Sequence, residues 1–358
     1  MARQNGILDG KNVVVTGGTG SLGKVLVRRL LSGEMGKPKV ITVFSRDEAK
    51  QNDMRLSYQH KTAATDEVIY HNYEQLLRFQ IGDVRDYHSV CAVLRNCDVV
   101  FNAAALKQVP TCEYFPFEAV LTNIEGPENI VRAIRENKLG VQIVVGVSTD
   151  KACKPVNVMG MTKAIQERVF IHGNLDCPDT RFVCVRYGNV LASRGSVIPL
   201  FHDQIKHGGP VTITTAGMTR FLISLEQAVN VIFAALEKAN RGETFVPKME
   251  SAKVIDIASA LIGKRAIKTT LTGIRPGEKI HEILVSEEEA YRTVEDDKFF
   301  KIQSILPEIK HGKRTAKTLD HEYSSADALI SKAEVVKLLA REKLMVSDGF
   351  PTEDELLR

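Results

Sequence analysis

The 358-residue sequence predicts an α/β fold built on a doubly wound parallel sheet, with a smaller C-terminal lobe. Three observations lead to it. In the first half, short β-branched runs alternate with longer amphipathic stretches, the pattern of repeated βαβ units. A glycine cluster, Gly17 to Gly23, sits where the first such run gives way to the first amphipathic stretch. Beyond about Gly188 the alternation breaks into shorter pieces punctuated by Pro199, Gly208, Gly209, Pro210, Pro247, Pro276 and Gly277.

The expected strands are Asn12–Thr16, Val40–Phe44, Leu77–Ile81, Val99–Asn102, Gln142–Val147 and Phe182–Arg186. Between them Leu22–Leu31, Asp47–Tyr58, Asp86–Leu94, Phe117–Glu136 and Val158–Ile171 read as helices. A doubly wound sheet of this kind takes its ligands at the carboxyl ends of the strands. Lys61–Tyr73 is polar and aperiodic, a surface excursion before the third strand. Ser331–Arg341 has helical periodicity, and the residues after it read as frayed or interface-forming.

Composition excludes several classes. With 44% hydrophobic and 26% charged residues the chain is an ordinary globular protein rather than a disordered one. The net charge of +4 comes from 48 basic and 44 acidic residues interleaved along the chain, not from the basic stripe of a nucleic-acid binder. No apolar run reaches the ~18 residues of a membrane span, and Met1 to Lys11 is too polar for a signal peptide, so a cytoplasmic protein is expected. The six cysteines form no C-x-x-C pair and no histidine-bearing zinc pattern, which predicts reduced thiols and no metal.

Gly17, Gly20 and Gly23 follow a G-x-x-G-x-x-G spacing between a strand and a helix. Small residues there permit a tight turn, let backbone N–H groups approach a pyrophosphate at the helix N-terminus, and let the helix pack closely on the strand. A Rossmann-type dinucleotide site follows, with Gly17, Thr19, Gly20, Ser21, Leu22 and Gly23 as contacts. The second strand ends in Ser45-Arg46 where NAD-binding folds commonly carry an acid for the ribose 2′-hydroxyl. A guanidinium there suits a 2′-phosphate, which favours NADP, with Asp47 as the competing observation. Asp83 and Val84 fall beside the adenine, and Asn102-Ala103-Ala104 on the nicotinamide side. The boundaries that result are 1–187 for the nucleotide-binding domain and 188–358 for a lobe with segments returning to the first domain.

The fifth strand runs into Ser148-Thr149-Asp150-Lys151, four polar residues where the sheet points at the nicotinamide. Met159-Gly160-Met161-Thr162-Lys163 then opens a helix with Met159 and Lys163 one turn apart on one face. Added to Phe44-Ser-Arg-Asp-Glu48, Gly82-Asp-Val-Arg-Asp86, Ala103-Ala-Ala-Leu-Lys-Gln-Val-Pro110, Arg186-Tyr-Gly-Asn189, Ser193-Arg-Gly-Ser196, Met218-Thr-Arg-Phe221 and Arg275-Pro-Gly-Glu-Lys279, these motifs carry a resemblance. Over roughly residues 10 to 285 the chain resembles the extended short-chain dehydrogenases/reductases, specifically the UDP-N-acetylglucosamine 4,6-dehydratase family.

The resemblance implies an internal redox cycle on a UDP-N-acetylhexosamine: C4 is oxidised by NADP, water leaves across C5 and C6, and the hydride returns to C6. It assigns Lys151 as the base at C5 and Asp150 as the acid at the C6 hydroxyl. A base at neutral pH calls for a Lys151 pKa brought down from about 10.4 towards 7–8 by burial or by positive neighbours such as Lys163. Asn189, Arg194, Arg220 and Arg275 match nucleotide-sugar contacts, Glu278 a ribose contact, and Lys107 approaches the sugar. A homo-oligomer, dimer or hexamer, is the family expectation.

Met159 departs from the family pattern. Most short-chain dehydrogenases place a tyrosine there to relay the O4 proton, and a thioether cannot. Asp150 then has to take that proton, with Thr149 and Ser148 as hydrogen-bond partners of O4. Two other readings accommodate Met159: a reductase or epimerase acting on a 4-keto or 5,6-ene UDP-sugar, and an inactive NADP-binding sensor or scaffold.

Overall fold

The computed structural model describes residues 6–59, 73–191, 196–309 and 318–346. The expectations for Lys61–Tyr73, Tyr73 itself excepted, for Arg194 and for the chain end after Val346 lie outside these residues.

The strands are β1 (Asn12–Thr16), β2 (Val40–Ser45), β3 (Leu77–Ile81), β4 (Val99–Asn102), β5 (Ile143–Val147), β6 (Arg181–Val185), β7 (Asn189–Val190) and β8 (Val211–Ile213). They continue with β9 (Thr219–Ile223), β10 (Thr244–Pro247), β11 (Ser251–Lys253), β12 (Thr269–Leu271), β13 (Ile283–Val285), β14 (Thr293–Asp296), β15 (Phe299–Ile302) and β16 (Tyr323–Ser324). Nine of them form one sheet in the order β14-β15-β10-β6-β5-β4-β1-β2-β3. From β3 across to β10 every pairing is parallel, and β15 and β14 close the far edge antiparallel. Strand order reverses between β1 and β4, so the crevice at their carboxyl ends is where a ligand is expected.

Both faces of this sheet are covered, which is why its strands read as unbroken apolar runs. Val13 and Val15 point into a layer that contains Val25, Leu26 and Leu30, while Val14 points into the opposite layer with Val90, Ile130 and Phe170. A separate core, built around Phe201, Ile205, Ile257, Leu261, Val335 and Leu339, packs the helices Val197–Lys206, Val254–Ile262 and Lys332–Arg341 against short strands. Those strands pair as β11-β9-β7 and β12-β8.

Helix ends fall within a residue of expectation except at two places. The sequence predicts a single helix over Phe117–Glu136; the chain instead forms Pro116–Val120, a π turn over Leu121–Glu125, and Gly126–Asn137, preceded by an unanticipated helix Val109–Tyr114. Proline accounts for the break. Pro127 has no N–H to return to the preceding turn, and the Gly126 N–H bonds instead to the Leu121 carbonyl, one residue further back than in an α-helix. The helix expected over Val158–Ile171 runs on to Asp176.

Candidate active site

Residues following β1, β4, β5 and β6 line one cleft of about 2180 Å³. Pockets for a single small ligand run to about 1,000 Å³, so there is room for two nucleotide-sized ligands end to end.

At one end is the glycine loop. Gly17 has φ of +65°, a conformation that favours glycine, and its N–H donates to the Phe44 carbonyl at 2.9 Å. A Cβ on Gly17 would meet Ala104 Cα at 2.8 Å, and one on Gly23 would meet Gly18 Cα at 2.5 Å. The helix Ser21–Leu31 therefore packs directly on the loop, and its first turn carries no side-chain cap and no acid. Its N-terminal N–H groups face the cleft without an internal partner, the requirement for holding a phosphate. A dinucleotide fits this cradle.

Ser45 and Arg46 border the same end. Ser45 Oγ accepts from Gln51 Nε2 at 3.0 Å, while Arg46 is half-exposed with Nη1 3.7 Å from Asp83 Oδ2. The competing acid is engaged: Asp47 accepts from the Lys50 backbone N–H at 3.0 Å and lies 2.7 Å from Lys50 Nζ, so its carboxylate caps its own helix. Asp83 is partly desolvated, which raises its pKa, but two hydrogen bonds from Arg85 outweigh this and hold it below the ordinary value. Val84 and Ala103 complete this wall.

At the centre, Thr149 caps a short 3₁₀ turn, Asp150–Ala152. Thr149 Oγ1 donates to Asp150 Oδ1 at 2.9 Å, and Lys151 Nζ donates to the same oxygen at 3.0 Å. Thr149 and Lys151 line the cleft, whereas Asp150 is wholly buried behind them and its Oδ2 has no partner among the described residues. Asp150 therefore adjoins the cleft through Thr149 rather than at its surface. Burial pushes Asp150 above the ordinary carboxylate value, against the pull of Lys151.

The expected depression of Lys151 is also overturned. Burial does pull its pKa down, but the carboxylates of Asp150 and Glu282, the latter 3.4 Å away, outweigh that and hold it above the ordinary lysine value. The lysine brought down to about 8 is Lys163, through burial alone. Its Nζ donates to the Val147 carbonyl at 2.6 Å and to Gln166. Met159 sits in a small apolar cluster with Cys112 and Ala119, touched by Leu106 and Val109. Ser148 lines the cleft, but its proton is committed to Glu167 at 2.5 Å.

The other end collects Lys107, Asn189, Arg220, Arg275 and Glu278. Arg220 is buried and anchored by donation to the carbonyls of Thr219, at 2.7 Å, and Ile280, at 3.2 Å. Arg275 is exposed, Glu278 accepts from Thr214 at 3.4 Å, and Asn189 Oδ1 is buried without a partner among the described residues.

Sequence reasoning missed Glu282, Asn157 and Glu167. Asn157 accepts from the Gly160 N–H at 2.8 Å and donates to the Gly277 carbonyl at 2.8 Å, tying the Arg-Pro-Gly turn to the start of the Met159 helix. An Asn before an apolar-periodic stretch is a cap signal that could have found it. Glu282, an acid just before an apolar strand, carries no such signal.

Residues 13–304 match the family described as polysaccharide biosynthesis protein. A UDP-glucose 4-epimerase of Rickettsia bellii is 43% identical, spanning 85% of this chain and 86% of that protein. A UDP-N-acetylglucosamine 4,6-dehydratase (inverting) of Campylobacter jejuni is 40% identical, spanning 91% of this chain and 90% of its own length. Among solved structures, Pen from Bacillus thuringiensis superposes with a TM-score of 0.84 at 36% identity, covering 95% of this chain and all of that one.

Proposed function

Because this chain belongs to the polysaccharide-biosynthesis family of extended short-chain dehydrogenases/reductases, we propose that it is an NADP-dependent UDP-N-acetylglucosamine 4,6-dehydratase, forming a UDP-4-keto-6-deoxy-N-acetylhexosamine. The observation that carries this reading is the Asp150–Lys151 pair, buried at the centre of the cleft and opening onto it through Thr149.

In this reading the N-terminal end of helix Ser21–Leu31, with Gly17, Thr19, Gly20, Ser21, Leu22 and Gly23, holds the pyrophosphate. Arg46 takes a ribose 2′-phosphate, since Asp47 is occupied in its own helix cap, while Asp83 and Val84 flank the adenine and Ala103 and Lys163 the nicotinamide ribose. Bound there, NADP supplies a reversible hydride acceptor for C4 of the sugar. Arg220 and Arg275 hold the substrate's diphosphate, and Asn189, Glu278 and Lys107 contact the nucleoside and sugar.

A C4 ketone acidifies the C5 proton, which Lys151 removes. Asp150 takes the O4 proton through the Thr149 hydroxyl as hydride leaves C4, burial favouring the neutral acid that results, and gives that proton back by the same route to the departing C6 oxygen. Met159 lines the cleft from an apolar cluster, and its thioether, which neither gives nor takes a proton, plays no part in proton transfer.

A second reading, C4 epimerisation of a UDP-hexose, is favoured by the name of the Rickettsia relative. Product mass separates the two. Dehydration lowers the mass of UDP-N-acetylglucosamine by one water with no net change in NADP(H), epimerisation leaves it unchanged, and a net reductase consumes NADPH. Asp150→Asn is the control that abolishes water loss if Asp150 is the acid.

A further inference from the structure

Lys279 follows the Arg-Pro-Gly turn at the substrate end of the cleft and has no role in the scheme above. The Glu278 N–H closes that turn by donating to the Arg275 carbonyl at 3.1 Å, with Pro276 and Gly277, φ +80°, at its corners. Proline at the first corner and a left-handed glycine at the second are what a type II turn requires. Arg275 and Glu278 line the cleft, while Lys279, half-buried, reaches behind it. Its Nζ donates to the Cys153 carbonyl at 2.5 Å, across 126 residues of sequence.

Cys153 ends the Asp150–Ala152 turn that carries Lys151. The start of this turn is tied to β6 and the residues after it: the Ser148 N–H donates to the Val185 carbonyl at 2.7 Å and the Asp150 N–H to the Tyr187 carbonyl at 3.0 Å. Its middle rests on the helix Val158–Asp176, so closely that a Cβ on Gly160 would collide with the Lys151 carbonyl oxygen. At its end the Cys153 thiol makes a 3.7 Å contact with Glu289, and the backbone itself is held by the Lys279 ammonium. Lys279 is in turn fixed on both sides. The Gly277 carbonyl accepts from Asn157 Nδ2 at 2.8 Å, and the Ile280 carbonyl accepts from the Thr219 N–H at 3.0 Å and from Arg220 Nη1 at 3.2 Å.

Resting on the dehydratase reading, we propose that Lys279 is a positioning residue that couples the seating of the substrate's nucleotide at Arg275, Glu278 and Arg220 to the placement of Lys151 against C5. An ammonium on a carbonyl makes a charge-assisted hydrogen bond, roughly twice as strong as a neutral one. Without it the end of the Asp150–Ala152 turn has no backbone tie to the substrate end, and a shift at Cys153 carries Lys151 with it. Misplacing a reacting group by about 1 Å costs about 10²-fold in rate. Lys279 stands outside the cleft lining and moves no proton, so its effect falls on turnover rather than on binding.

Two measurements on the NADP-loaded protein test this. The first compares kcat and KM for UDP-N-acetylglucosamine, and the affinity for UDP, in the wild type, Lys279→Met and Lys279→Arg. Lys279→Met keeps the aliphatic stem and removes the donor, so kcat should fall about 10²-fold while KM and UDP affinity stay within about 3-fold. Lys279→Arg restores a charged donor and should bring kcat back to within about 10-fold of the wild type. The second reads amide hydrogen exchange at Ala152 and Cys153 with and without UDP, which carries no sugar to touch Lys151. UDP should slow both amides several-fold in the wild type and leave them unchanged in Lys279→Met. A kcat within about 3-fold of the wild type in Lys279→Met, a loss confined to KM or UDP affinity, or no recovery in Lys279→Arg overturns the proposal. So does UDP that binds the wild type without slowing the two amides, and this result decides alone should Lys279→Met not fold. A wild type that converts no UDP-N-acetylglucosamine removes the dehydratase reading and this proposal with it, whereas a converting wild type with an indifferent Lys279→Met removes only the proposal.

Discussion

Arg186 and Glu167 are joined by two hydrogen bonds, Nη2 to Oε2 at 2.6 Å and Nε to Oε1 at 3.1 Å, with both side chains almost wholly buried. The same guanidinium reaches Glu289 Oε2 at 2.7 Å. Both ends of the Asp150–Ala152 turn are tied to these acids, Ser148 through Glu167 and Cys153 through Glu289 at 3.7 Å. The network thus links the floor of the cleft to the sheet beneath it. Arg186→Met leaves the buried Glu167 carboxylate without its cation and Glu289 with Arg292 alone, and should cost about 3–5 kcal/mol in urea unfolding. A loss below about 1 kcal/mol would show that the network has no structural weight.

Acid sensitivity follows from Glu289. Burial opposes its charge, but Arg186 and Arg292 outweigh it and hold the carboxyl at about 2, against an ordinary 4.5. The stabilisation is complete above 4.5 and is lost as pH falls through 2, because the unfolded chain binds the proton first. About 3 kcal/mol disappears across that window. The pH dependence of unfolding in Glu289→Gln should be flatter than the wild type's by that amount.

Lys163 behaves in the opposite sense. Burial lowers it from 10.5 to about 8, so below 8 the folded chain carries the full cost of a buried charge. That cost disappears between 8 and 10.5, where the unfolded chain still holds the proton, and stability rises with pH. The wild type without ligands should therefore gain roughly 3 kcal/mol relative to Lys163→Met across this range. A constant difference between the two proteins refutes the depressed value.

Met159→Leu tests whether the thioether has any chemical duty. The swap nearly conserves volume within the Cys112 and Ala119 cluster and should cost less than about 1.5 kcal/mol. Turnover should stay within a few-fold and its pH profile should not move. A large loss of turnover in a stable variant assigns Met159 a role that packing does not explain.

Arg46→Ala addresses the nucleotide. Charge-assisted hydrogen bonds are worth about 1.5–3 kcal/mol, so affinity for NADP should fall about 10- to 100-fold while affinity for NAD changes little. Equal loss for both nucleotides excludes 2′-phosphate recognition by Arg46.

What the sequence made legible was local. Asn12–Thr16, the glycines after it and the polar turn after β5 are contiguous patterns whose geometry is set by their own neighbours, and they fall at the carboxyl ends of parallel strands as expected. The missing parts depend on contacts between distant residues. Lys151 was expected to be depressed because Glu282, from the far side of the chain, is invisible in the spacing around Asp150. The burial of Asp150 is likewise set by neighbours in space, such as Gly188, whose Cβ position lies 3.4 Å from Oδ2. Pro127 was visible in the Phe117–Glu136 stretch, but helical periodicity on both sides concealed the π turn.

Deuterium incorporation at C5 bears most directly on Lys151 as the base. Incubated with UDP-N-acetylglucosamine in heavy water, the NADP-loaded protein should yield a product lighter by one water apart from the label, with deuterium at C5 and no net change in NADP(H). A converted sugar without deuterium at C5, or an epimer of unchanged mass, would contradict proton abstraction by Lys151 and leave C4 chemistry alone.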